Sequence, residues 1–144
     1  ILLIDDSNNH EYFSHKYNVS NDLKEILNLT AKNFIKIQKN KEFLVRDLKK
    51  NIYFFGKSHL KSLNLLYFLA EKKKKINDYL KILKNIKSLN IPKFAFDGNY
   101  LKEKGMSEGV LIGKTLKLIE EEWLKNDFRI SDKRVLEIIE MQNR

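Results

Sequence analysis

The chain has 144 residues, 42% hydrophobic and 11% aromatic; that is one domain or part of a larger protein, with apolar material for a core and too many rings for a disordered segment. It has no cysteine, which excludes disulfides and thiolate metal sites, and no apolar run long enough to cross a bilayer or act as a signal peptide. The 28 Lys and Arg against 19 Asp and Glu give a net charge of +9, which favours phosphate-bearing partners, because a lysine that meets a phosphate releases a condensed counterion.

Residues 1–20 read as irregular, with Asp5, Asp6, Ser7, Asn8 and Asn9 as a polar turn cluster. Ser20 or Asn21 caps a first helix whose apolar positions are Leu23, Ile26, Leu27, Thr30, Phe34 and Ile37, spaced by three and four. Asn40 breaks it. A second helix is expected over residues 41–55, with Phe43, Leu44, Leu48, Ile52 and Phe55 on one side, ended by Gly56 as a left-handed residue. Ser58 caps a third, carrying Leu60, Leu63, Leu66, Tyr67 and Ala70. The lysine run 72–75 is its last turn or a link to the next. A fourth helix over 76–89 shows Ile76, Tyr79, Leu80, Leu83 and Ile86, and Asn90 and Pro92 stop it. Residues 93–98 are a loop or a short extended piece. One helical turn over 100–104 is closed by Gly105. A fifth long helix over 108–125 turns Leu111, Ile112, Leu116, Ile119 and Trp123 inward. Residues 127–130 turn. Ser131 caps a last helix over 132–141, with Val135, Ile138 and Ile139 inside. Strand alternation is absent, so the expected class is all-α, an irregular multi-helix bundle of about five to seven helices. Residues 1–90 form a body-like helical region and 91–144 a glycine-containing tail, together one contiguous helical unit.

No catalytic constellation stands out. His10, His15 and His59 are separated in ways that do not stack metal ligands on one helix face. Asp5 and Asp6 are adjacent and point apart. Glu120, Glu121 and Glu122 lie opposite an apolar face, as a solvated face does. In Gly109-Val110-Leu111-Ile112-Gly113-Lys114-Thr115, three residues separate the glycines where a P-loop has four, and the flank is helical, so this is not an NTPase motif. A glycine at a helix start does free backbone N–H groups for an anion, with Lys114 adding charge. The other reading is that Gly109 and Gly113 let a neighbouring helix come close. The rings of Tyr53, Phe54, Phe55, Tyr67, Phe68, Phe94 and Phe96 could stack bases, but at helical spacing most of them are core, and Phe94 and Phe96 anchor the loop after Pro92. The basic residues are mostly Lys, with Arg only at Arg46, Arg129, Arg134 and Arg144. Asn and Ile are also abundant, so part of the charge is compositional.

One segment gathers Pro92, Gly98, Leu101, Gly105, Gly109, Gly113 and Trp123. Its run Ile91-Pro92-Lys93-Phe94-Ala95-Phe96-Asp97-Gly98-Asn99-Tyr100-Leu101 and the glycines after it resemble the C-terminal part of class II tRNA nucleotidyltransferases, the CCA-adding enzymes grouped with poly(A) polymerases. Tyr100 stands where that family has Asp, and Val110 where it has Pro. Weaker similarity lies at Val19-Ser20-Asn21-Asp22-Leu23 and Ile52-Tyr53-Phe54-Phe55-Gly56-Lys57. The family's catalytic head motifs do not occur; Val45-Arg46-Asp47, read as helical, is only an echo of one. The resemblance therefore implies the body and tail of such an enzyme. This part would grip the acceptor and TΨC arm of tRNA in the cytoplasm, through backbone shape and charge. A catalytic head elsewhere in the parent would use Mg²⁺ with CTP and ATP, and this chain would carry no cofactor, metal or catalytic residue. The RNA-contacting candidates are Lys102, Lys104, Gly109, Gly113 and Lys114. The alternative is a stand-alone basic helical interaction module without catalytic activity.

Overall fold

Helices built on 3.6-residue spacing account for the chain. Seven of them, and no strand, occupy the described residues of the computed structural model, which are 4, 7–71, 75–107 and 109–143. The class is all-α. The chain divides into two units, Ile1–Ile91 and Pro92–Arg144.

In Ile1–Ile91 the first element is a helix, α1 (Asn9–Lys16), where an irregular segment is expected. Its buried residues are His10 and Ser14, and Ser14 Oγ donates to the His10 carbonyl at 2.7 Å. A helix that buries polar residues leaves no apolar periodicity to read. Residues 1–3, Asp5 and Asp6 lie outside the described residues. Next, α2 spans Asn21–Lys39, and Ser20 Oγ accepts from Leu23 N at 3.3 Å as its N-cap. Only the second half of its expected stripe is buried: Thr30, Phe34 and Ile37 are inside, whereas Leu23 and Ile26 are 39% and 58% exposed.

The second helix does not start at residue 41. Asn40 Oδ1 accepts from Glu42 N at 3.0 Å, which tightens residues Lys41–Leu44 into a 3₁₀ turn. Phe43 and Leu44 are buried there, and Asn51 Nδ2 donates to the Phe43 carbonyl at 2.7 Å. Val45, Arg46 and Asp47 form the link to the next helix and are not helical. That helix, α3, spans Leu48–Ala70 with one non-helical residue, Gly56, at φ 77° and ψ 159°. Only glycine adopts that conformation without strain. The expected break is therefore present, but the helix resumes directly after it. Leu48, Ile52, Leu60, Leu63 and Tyr67 bury one face of α3, against α2 on one side and α4 (Ile76–Ser88) on the other. In α4 only Ile86 is fully buried; Ile76 and Leu80 are 53% and 50% exposed, contrary to the expected stripe. Lys72, Lys73 and Lys74 lie outside the described residues.

In Pro92–Arg144, an extended segment precedes α5 (Gly98–Glu103). Asp97 Oδ1 caps it, accepting from Tyr100 N at 2.9 Å. After α5, Met106 buries in the core. Then α6 spans Val110–Lys125; Glu108, the expected start, lies outside the described residues. The chain leaves α6 through Asp127 and Phe128, both at positive φ, with Phe128 N donating to the Trp123 carbonyl at 2.8 Å. Ser131 Oγ then accepts from Arg134 N and caps α7 (Asp132–Gln142). The core joins Leu101, Met106, Ile112, Ile119, Val135, Ile138 and Ile139, with Phe94 and Phe96 packed against it. The Phe94 ring centroid is 5.3 Å from that of Trp123, so these rings do anchor the loop after Pro92.

Candidate nucleic-acid interface

Lys102, Lys104, Gly109, Gly113 and Lys114 all lie in Pro92–Arg144 and are exposed. Lys102 and Lys104 are at the end of α5, and Gly109 to Lys114 form the start of α6. The two helices touch, and a Cβ on Gly98 would stand 3.5 Å from Ile112 Cγ2. The Lys104 ammonium sits 5.6 Å from the Tyr100 ring centroid, at cation–π distance. Gly109, at φ 124°, is the N-cap of α6 and has no side chain with which to cap that end.

Among the described residues, no other helix comes close to Gly109 or Gly113. A Cβ built on either meets nothing within 4 Å. The close-packing reading of these glycines is therefore overturned.

The charge has an uneven address. Ile1–Ile91 carries 18 Lys and Arg against 9 Asp and Glu, and Pro92–Arg144 carries 10 against 10. The whole +9 thus belongs to the first unit. Two rows stand out within it. Lys32, Lys36 and Lys39 follow one another along α2 at helical spacing, and Lys81, Lys84 and Lys87 do so along α4; all six are exposed. Residues 26–41 and 79–91 contain no carboxylate, so nothing on either stretch offsets these cations. Lys57 of α3 donates to the Lys87 carbonyl at 2.9 Å, setting a further ammonium beside the α4 row. Lys84 and Lys87 also border a surface groove of 470 Å³ with Leu80, Leu83 and Ser88.

In the second unit, acids answer the bases. Arg134 Nε and Nη2 donate to the two carboxylate oxygens of Glu122 at 2.6 and 3.0 Å, and Nη1 donates to Glu137 at 3.0 Å. The hydrogen bond from Arg134 holds the Glu122 carboxyl below the ordinary carboxylate range. This fork ties α6 to α7, and its guanidinium is committed to carboxylates.

The histidines do not converge. His10 is in α1 and His59 in α3. No group of three or more His, Asp or Glu is arranged to hold a metal among the described residues. The His59 ring lies 3.2 Å from Asn33 Nδ2 and 5.8 Å from the Phe55 ring, and burial lowers its pKa from the ordinary imidazole value. No helix among the described residues is long and apolar enough to cross a membrane. The division of charge between the two units is already readable in the sequence at the expected boundary after residue 90, because residue 91 is an uncharged isoleucine. Comparison of the chain with known protein families, curated proteins and solved structures finds no match.

Proposed function

We propose that this chain is the tRNA-binding body and tail of a tRNA nucleotidyltransferase that completes or repairs the 3′ CCA end. It holds the acceptor and TΨC arm in the cytoplasm while a catalytic head of the parent protein, using Mg²⁺ with CTP and ATP, adds nucleotides. The observation that carries the RNA reading is the net positive charge of Ile1–Ile91, with its exposed lysine rows on α2 and α4. The resemblance of the segment from Pro92 to Gly113 selects the enzyme family. Helical RNA offers its phosphates and 2′-hydroxyls at the surface and hides its base edges in a narrow groove, so rows of ammonium groups suit it better than a reading head would. Lys102, Lys104, Lys114 and the glycine-led start of α6 add a smaller contact from the tail, where backbone N–H groups and ammonium can meet a phosphate.

An electrophoretic titration of tRNA at 50 and 200 mM salt tests this. Tight binding at low salt that weakens by orders of magnitude at the higher is expected for several phosphate contacts. Binding that is absent, or indifferent to salt, overturns the reading and leaves a stand-alone helical interaction module.

A further inference from the structure

The first helix and the residue that ends it expose rings that the core does not use. Tyr12 is 66% and Tyr17 60% exposed, among the most open large side chains of the molecule. The Lys16 ammonium stands 5.6 Å from the centroid of each ring. Tyr17 rests on the half-buried Phe13, centroid to centroid 4.9 Å, so its position is supported from beneath. His15 beside them is exposed, and Glu11 is the only carboxylate of the helix. Two exposed aromatic rings around one cation, in the unit that holds all the net charge, do not form a core remnant.

We propose that Tyr12, Lys16 and Tyr17 form a stacking site for unpaired nucleotides of an RNA, bases lying on the tyrosine rings and a phosphate meeting the Lys16 ammonium. This rests on the RNA-binding reading and deepens it: the lysine rows grip paired backbone, whereas α1 takes bases that have left a helix. Every base has a π face, so such a site is tolerant of sequence.

The test uses the full chain and a single-stranded 12-mer of uridine, alongside tRNA. Y12L/Y17L should weaken oligouridine binding by at least about fivefold per ring, the lower end of what one stacked base contributes. Y12F/Y17F should restore it, because the ring and not the hydroxyl carries the contact. Both variants should keep the wild-type circular dichroism and melting temperature, since the replaced rings are exposed. Unchanged oligouridine affinity in Y12L/Y17L overturns the stacking site; if tRNA still binds with a steep salt dependence, the broader reading stands without it. Failure of the wild type to bind tRNA at low salt overturns the broader reading, while oligouridine binding that follows the ring series still supports the site. A wild type that binds vesicles of phosphatidylserine and phosphatidylcholine but not oligouridine assigns the patch to a membrane surface and overturns the proposal.

Discussion

Glycine shows how one substitution takes opposite signs at two positions. Gly113 lies inside α6, is exposed, and a Cβ there would point into open space. Gly113→Ala removes the backbone entropy of a mid-helix glycine and should stabilise the protein by about 0.5–1 kcal/mol. Gly56 also has free space around it but sits at φ 77°. Gly56→Ala forces an L-residue into that region and should cost on the order of 1–3 kcal/mol. Chemical denaturation of both variants checks the pair, and two shifts of the same sign would contradict it. Gly113→Ala also tests the tail contact: a more stable protein with weaker tRNA affinity marks that backbone as an RNA surface. His59 makes a second residue-scale prediction. Its pKa is lowered by burial, so the unfolded chain binds the proton more readily. The stability it lends is complete above the ordinary imidazole value and is lost as pH falls from there through the folded value. Melting temperature should decline between pH 7.5 and 5.5, and His59→Gln should flatten that decline.

Among the elements, the caps at Ser20 and Ser131 were legible: each accepts from a backbone N–H three residues on, a pattern local chemistry decides. Asp97 caps α5 in the same way where only a loop is expected, and Ser58, expected as a cap, lies inside α3. Leu60 and Leu63 are completely buried in α3, at positions the spacing marks as inward. Leu63→Ala should therefore cost about 2–5 kcal/mol, measured by urea titration, from lost burial and the cavity left behind. What failed was degree. Spacing marks a face of α4 as apolar, but it does not say whether a neighbour covers that face, and Ile76 and Leu80 stay half open. The first helix failed for the opposite reason, since its inward residues, His10 and Ser14, are polar. The 3₁₀ turn at Lys41–Leu44 was missed because Phe43 and Leu44 are buried by a turn as well as they would be by a helix.

For the molecule as a whole, charge is the property with the longest reach. If the lysine rows of α2 and α4 carry the phosphate contacts, each one neutralised should lower the salt slope of tRNA binding by about 1. Replacing Lys81, Lys84 and Lys87 by Gln should thus flatten the slope more than replacing Lys102, Lys104 and Lys114, whose unit has as many acids as bases. Titrations over a range of salt concentrations decide this, and the reverse order would move the main contact to the tail.

The sequence by itself determined the all-α class, most helix centres and the net charge. These depend on residues within three or four positions of one another, or on composition alone, and both are fixed before the chain folds. Tertiary structure decided which half of each apolar face is covered, that Gly113 faces open space, that Arg134 is committed to Glu122 and Glu137, and that Tyr12 and Tyr17 flank Lys16 in the open. Each of those depends on what lies opposite a side chain in space, which spacing along one helix cannot report.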